Sequence, residues 1–127
     1  MKIGVVGGGS WGTALAKLLT GAGHEVTLWC RDRGLAIEIS SRHENSRYLP
    51  GVHLPATLRA TDDLGNALGG AEMVLAVTPS HAMREVLRHA RAVVPPGAIL
   101  VSASKGVEDR TFDTMSAVLA ETLPGHR

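Results

Sequence analysis

The chain has 127 residues, 44% of them apolar and 20% charged, which excludes an intrinsically disordered protein and predicts one domain with its own core. Thirteen Lys and Arg residues against twelve Asp and Glu leave a formal charge of +1, so no basic surface for nucleic acid is expected. Cys30 is the only cysteine, which excludes an internal disulfide and favours a reducing, cytoplasmic compartment. No apolar run approaches the ~18 residues of a membrane-spanning helix and no signal peptide fits, so we expect no membrane insertion.

Apolar residues along the chain switch repeatedly between strand-like runs and helical spacing. Short apolar or β-branched runs predict strands at residues 3–6, 26–29, 73–77 and 99–101, with a weaker one at 58–60. Apolar positions three and four residues apart predict helices around residues 15–22, 35–39, 64–71, 83–90 and 115–122. Residues 40–60 have weak periodicity and are predicted to be mostly loop. Because strands alternate with crossover helices, we expect an α/β fold of Rossmann type, a mostly parallel sheet with helices on both faces.

A glycine-rich segment separates the first predicted strand from the first predicted helix. Residues 7–12 (GGGSWG) fit G-x-G-x-x-G at the start of a strand–helix–strand unit, which is the context of a dinucleotide-binding loop. In such a loop Gly7 permits the tight turn, Gly9 lets the backbone approach a pyrophosphate, and Gly12 lets helix and strand pack closely. The amide groups that begin the helix then bind the phosphates.

The same residues also fit a second motif. Residues 8–12 match G-x-S-x-G, the strand–turn–helix elbow that presents the nucleophilic serine of α/β-hydrolases. Asp62 or Asp63, followed by His81, would complete the order Ser, Asp, His with Ser10. The oxyanion hole of those enzymes needs a loop from an earlier strand, and only nine residues precede Ser10. We therefore reject the hydrolase interpretation.

The end of the second predicted strand gives a mixed signal on the cofactor. An acidic residue about 20 positions after the last glycine binds the ribose hydroxyls of NAD, whereas a nearby arginine accepts the 2′-phosphate of NADP. Asp32 lies twenty positions after Gly12, but it is flanked by Arg31 and Arg33. The two arginines favour NADP, whereas Asp32 favours NAD. The expected cofactor is therefore NADP or NAD.

Four segments together resemble one protein family. They are residues 10–16 (SWGTALA), 45–51 (NSRYLPG), 77–81 (VTPSH) and 102–108 (SASKGVE). In this order and spacing they are similar to bacterial NAD(P)-dependent glycerol-3-phosphate dehydrogenase, and the resemblance extends over essentially the whole chain.

The resemblance implies an oxidoreductase that interconverts glycerone phosphate and sn-glycerol 3-phosphate for phospholipid synthesis. Members are much longer, so residues 1–127 would be the dinucleotide-binding domain, and the helical C-terminal substrate domain with its acid–base lysine would be absent. No catalytic residue is therefore expected in this chain, which would bind cofactor without turnover. The alternative is a stand-alone, non-catalytic nucleotide-binding or regulatory module.

The resemblance also implies particular binding residues. Ser10 and Trp11 would line the cofactor, Arg31 would meet its adenosine end, and Tyr48 would border it. Lys105 would contact both cofactor and substrate. The residues alone also favour Lys105, because it follows a predicted strand on the rim where open α/β sheets bind ligands, and its ammonium group suits an anion.

Two further expectations concern metals and assembly. His81, Glu85 and His89 share helical spacing, but no convergent ligand from elsewhere is evident, so we expect no metal site. Without a C-terminal domain an apolar surface would be exposed, which leaves a homo-oligomer open.

Overall fold

The computed structural model of the chain describes residues 1–78 and 80–102. Within them, strands and helices alternate in the order β1 (Lys2–Val6), α1 (Ser10–Gly21), β2 (Glu25–Trp29), α2 (Arg33–Arg42), β3 (Arg59–Thr61), α3 (Leu64–Leu68), β4 (Met73–Ala76), α4 (Ser80–Ala90) and β5 (Ile99–Ser102). The predicted α/β alternation is confirmed. The helix predicted at 115–122 lies outside the described residues.

The five strands form one sheet in which every neighbouring pair is parallel. The strand order is β3-β2-β1-β4-β5, so the chain runs outward from β1 to β3 and then crosses to the other side of β1. Val6 is level with Trp29 of β2 and with Ala76 of β4, which places the carboxyl ends of the three central strands side by side. The order reverses between β1 and β4, and this switch point is where doubly wound sheets bind ligands.

The core lies in two layers, one on each face of the sheet. Successive strand residues point to opposite faces, so Val5 packs in the layer formed with α1 and α2, whereas Val6 packs in the layer formed with α3 and α4. Both layers are apolar, and each includes buried helix residues, such as Ile39 of α2 in one layer and Leu87 of α4 in the other. The Rossmann-type fold with helices on both faces is therefore confirmed.

The segment between α2 and β3 contains no helix or strand, as the sequence predicted, and long-range contacts hold it in place. His43 ends α2 in the left-handed conformation (φ 56°), and its carbonyl oxygen accepts a hydrogen bond from the Leu54 N–H (2.8 Å). Leu54 and Leu58 are buried in the layer below α2. These contacts fix the loop that follows α2 at His43 and at Leu54.

Candidate functional site

The glycine-rich loop follows β1 and is shaped by close backbone contacts. Gly7 has φ +131°, and its N–H donates to the carbonyl oxygen of Trp29 (3.1 Å). A Cβ on Gly7 would lie 2.8 Å from the carbonyl carbon of Val77, and one on Gly12 would overlap the carbonyl oxygen of Gly7. A Cβ on Gly9 would meet nothing within 4 Å, so this residue borders open space. Gly7 thus makes the turn, Gly12 allows close packing, and Gly9 leaves open space beside the backbone.

Helix α1 begins without a capping side chain. Gly9 is its N-cap residue, no side chain bonds to the cap, and the first turn holds no acidic residue. The first N–H groups of a helix have no intrahelical acceptor and carry about half a positive charge. By contrast, Asp32 and Asp63 cap the starts of α2 and α3 through hydrogen bonds to backbone N–H groups. The start of α1 is therefore the one of these three that is open to an anion.

The open start of α1 lies at the reversal of strand order. The N–H of Val77, just after β4, donates to the Val6 carbonyl oxygen (2.8 Å), and the buried Thr78 hydroxyl donates to the same oxygen (3.1 Å). These bonds hold the end of β4 directly against the end of β1. The glycine loop, which continues from Val6, therefore sits over the gap between the two strands.

The end of β2 presents charged side chains to solvent. Arg31 is exposed, and so is Arg33, the first residue of α2. Asp32 accepts hydrogen bonds at Oδ1 from the N–H groups of Gly34 (2.7 Å) and Leu35 (3.4 Å). Both carboxylate oxygens are engaged, because Oδ2 pairs with Arg47 Nη1 at 2.7 Å.

These bonds stabilise the charged form of Asp32. The hydrogen bond from Arg47, followed by the one from the Gly34 N–H, holds the pKa of the Asp32 carboxyl below its usual value. The pKa of the Arg47 guanidinium is raised, chiefly by the same hydrogen bond. The acidic residue that the sequence offered for ribose hydroxyls thus serves as a helix cap and ion-pair partner.

Asn45 joins the loop after α2 to the glycine loop. Its side chain is fully buried, and Nδ2 donates to the Gly8 carbonyl oxygen (2.9 Å) and to Thr13 Oγ1 (2.8 Å). Its Oδ1 accepts from the Tyr48 N–H (3.0 Å). Asn45 was not predicted as a site residue. Only its residue type could have indicated this role, because Asn side chains often form hydrogen bonds with backbone groups in turns.

Two large aromatic side chains lie exposed around this loop. Trp11 is 58% exposed in the first turn of α1, and Tyr48 is 46% exposed. Asn45 connects their two segments, since it bonds both Gly8 and the Tyr48 backbone. Ser10 is also exposed. The structure therefore brings Ser10, Trp11, Arg31 and Tyr48 to the same edge of the sheet, whereas Lys105 lies outside the described residues.

Cys30 is a packing residue. It is fully buried, and a Cβ on Gly8 would lie 2.7 Å from its sulfur. Burial, then the nearby charges of Asp32 and Asp62, raises the pKa of the thiol to about 12. The thiol is therefore protonated at neutral pH, which fits a packing role.

No three His, Cys, Asp or Glu side chains within 1–78 and 80–102 are grouped as metal ligands would be. Across the same residues, none of the helices has the length and apolar character needed to cross a bilayer.

Comparison with known proteins agrees with this geometry. Residues 2–127 match the family described as NAD-dependent glycerol-3-phosphate dehydrogenase N-terminus. Glycerol-3-phosphate dehydrogenase [NAD(P)+] of Nitratidesulfovibrio vulgaris (strain DP4) is 50% identical over 98% of this chain and 38% of its own length. The enzyme of the same name from Anaeromyxobacter dehalogenans is 47% identical over 98% of this chain and 37% of its own. The chain thus spans less than two-fifths of the length of these curated relatives.

Solved structures give the same result for the fold. The crystal structure of glycerol-3-phosphate dehydrogenase from Coxiella burnetii superposes with a TM-score of 0.90 at 33% identity, covering 98% of this chain and 38% of that one. A Plasmodium falciparum glycerol-3-phosphate dehydrogenase gives a TM-score of 0.89 at 27% identity, with the same coverage. The glycine loop, the strand order and the sequence match together show that this chain belongs to the NAD-dependent glycerol-3-phosphate dehydrogenase family and corresponds to its N-terminal part.

Proposed function

We propose that this chain is the NAD(P)-binding domain of a glycerol-3-phosphate dehydrogenase. The observation that carries the proposal is the open start of α1, which lies beside the glycine loop at the reversal of strand order. Gly9 leaves room for a ligand to approach the backbone, and no capping side chain competes for the N–H groups of the first turn. A pyrophosphate fits both features, because it needs close backbone approach and hydrogen-bond donors.

The binding residues follow from their positions around this loop. The pyrophosphate lies against Gly7, Gly9 and Gly12, with Ser10 and Trp11 beside it. Arg31 is exposed at the end of β2, where an arginine can pair with the 2′-phosphate at the adenosine end. Tyr48, which Asn45 positions, borders the cofactor. Lys105 comes three residues after the end of β5 in the sequence, and we propose that it contacts cofactor and substrate.

The bound cofactor supplies hydride chemistry. The residues of this chain bind and orient it: the glycine loop and α1 fix the pyrophosphate, and the guanidinium of Arg31 fixes the adenosine end. Trp11 and Tyr48 offer exposed aromatic surface that can cover the cofactor and exclude water. In the longer protein, the substrates are glycerone phosphate and sn-glycerol 3-phosphate, in a reaction that serves phospholipid synthesis.

The remaining assignments concern the whole protein. We propose that residues 1–127 form one domain and that the general acid–base group comes from a helical C-terminal domain, which corresponds to the remaining length of the relatives. We also propose that the protein works in the cytoplasm. Sedimentation of the purified chain would show whether copies associate.

A substitution at Gly9 tests the proposal without a clash in the fold. Because a Cβ at this position meets no atom within 4 Å, Gly9→Ala fits the structure but intrudes where the pyrophosphate approaches. Gly21→Ala is the matched control, because its Cβ is equally free at the other end of α1. Calorimetric titration should show NADPH and NADH binding to the unchanged chain and to Gly21→Ala, and Kd raised about tenfold or more in Gly9→Ala, a cost of about 1.4 kcal/mol.

The outcomes separate folding from binding. Ala is a poorer N-cap than Gly, so Gly9→Ala should lose a modest part of α1 stability, which circular dichroism and a urea titration would measure. If Gly9→Ala folds and binds both dinucleotides as tightly as Gly21→Ala does, the pyrophosphate does not lie at this loop and the proposed site is wrong.

A further inference from the structure

An arginine from a distant loop lies against the acidic residue at the end of β2. Arg47 Nη1 is 2.7 Å from Asp32 Oδ2, although fifteen residues separate them in the sequence. Both side chains remain about half exposed, at 51% and 44%. The pair therefore sits at the surface where Arg31 and Arg33 flank Asp32.

The loop that carries Arg47 is held on both sides. The preceding residue, Ser46, donates its N–H and its hydroxyl to the carboxylate of Glu38 on α2. The following residue, Tyr48, donates its N–H to the buried Asn45 side chain. Arg47 is thus presented to Asp32 by a tethered loop, which reduces the entropy lost when the ion pair forms.

The charge of Asp32 conflicts with the cofactor that the neighbouring arginines favour. An acidic residue at this point of a dinucleotide-binding fold accepts the ribose 2′-hydroxyl and repels a 2′-phosphate. Asp32 is ionised at neutral pH, as an aspartate ordinarily is, and its hydrogen bonds lower the pKa of its carboxyl further. Oδ1 caps α2, so the Asp32 side chain also has a structural role at this point of the fold. A positive charge paired with Oδ2 offsets the negative charge that opposes a 2′-phosphate.

We propose that Arg47 is a specificity-determining residue, which pairs with Asp32 and thereby lets the site accept a dinucleotide carrying a 2′-phosphate. The inference rests on the proposed function and assigns to Arg47 a role separate from that of Arg31. Arg31 contacts the phosphate, whereas Arg47 cancels the charge that opposes it. NADH has no 2′-phosphate, so its binding is nearly independent of Arg47.

A double-mutant cycle tests this role directly. Dissociation constants for NADPH and NADH are measured for the unchanged chain, Arg47→Ala, Asp32→Asn and the double variant. Asn caps helices about as well as Asp, so Asp32→Asn removes the charge and keeps the cap. Arg47→Ala should raise the NADPH Kd about tenfold and the NADH Kd less than about twofold, and when added to Asp32→Asn it should change the NADPH Kd less than about twofold.

Two further variants control for charge and folding. Arg59→Ala removes the same charge from the exposed first residue of β3, which is level with Thr27 and not with the end of β2. This variant should change neither Kd by more than about twofold. Arg47→Lys keeps the positive charge and should retain NADPH binding within about threefold. Urea midpoints of all variants identify any that lose stability.

The outcomes that overturn the inference are distinct. If Arg47→Ala weakens the binding of NADPH and of NADH equally, Arg47 supports the loop and does not set specificity. If Arg47→Ala weakens NADPH binding as much in the chain carrying Asp32→Asn as in the chain that keeps Asp32, then Arg47 does not act by neutralising that carboxylate. If the unchanged, folded chain binds neither dinucleotide, the proposed function itself fails, and this inference fails with it.

Discussion

Replacement of Asn45 by Ala should destabilise the chain by about 3 kcal/mol. The fully buried side chain makes three hydrogen bonds, to Gly8, Thr13 and Tyr48, and each contributes about 1 kcal/mol net. The Gly8 carbonyl oxygen keeps its bond from the Thr13 hydroxyl (3.3 Å), whereas the Tyr48 N–H loses its acceptor. For a domain of this size, such a loss lowers Tm by about 10 °C.

Urea denaturation followed by circular dichroism measures this loss, with a neighbouring variant as control. Ser46→Ala removes an exposed hydrogen bond to Glu38 in the same loop and should cost less than about 1 kcal/mol. Asn45→Asp keeps the acceptor for Tyr48 but turns a carboxylate toward the Gly8 carbonyl oxygen, so its cost should equal or exceed that of Asn45→Ala. A cost for Asn45→Ala no larger than that of Ser46→Ala would refute the argument that Asn45 holds the two loops together.

Three other predictions concern the glycine loop and the thiol. Gly12→Ala should lose about 3 kcal/mol of stability and all measurable NADPH binding, because its Cβ would overlap the Gly7 carbonyl oxygen. Urea titration would measure the stability and calorimetry the binding. Unaltered stability would contradict the close packing of Gly12 against Gly7. Cys30 should resist alkylation by iodoacetamide at pH 8 and react on unfolding in urea, as mass spectrometry would record; rapid labelling of the folded chain would contradict the burial. Because folding raises the pKa of this thiol from 9.0 to about 12, the free energy of unfolding should fall as pH rises above about 9; a urea midpoint that rises across this range would contradict the shift.

The parts of this molecule that were predictable are those encoded by neighbouring residues. The glycine loop could be predicted because the turn, the open approach and the helix start all fall within residues 7–12. The alternation of strands and helices could be predicted from apolar spacing, and the order β3-β2-β1-β4-β5 is the usual one for a doubly wound dinucleotide-binding sheet.

The parts that were not predictable depend on contacts between distant residues. Asn45 and Gly8 are 37 residues apart, and nothing local in the sequence shows that the side chain of one is buried against the carbonyl of the other. The pairing of Asp32 with Arg47 likewise depends on the path of the loop after α2. The weak apolar periodicity of that loop does not predict which of its side chains reaches Asp32. The cap on α2 was visible in principle, since Asp is a favoured N-cap residue just before a helix.

The most direct measurement is a calorimetric titration of the 127-residue chain with NADPH, repeated with NADH and with the Arg31→Ala variant. Both dinucleotides should bind saturably at one site per chain, and Arg31→Ala should weaken the binding of NADPH far more than the binding of NADH. If a chain shown to be folded by circular dichroism takes up neither dinucleotide at millimolar concentrations, the claim that these residues form a dinucleotide-binding domain is wrong.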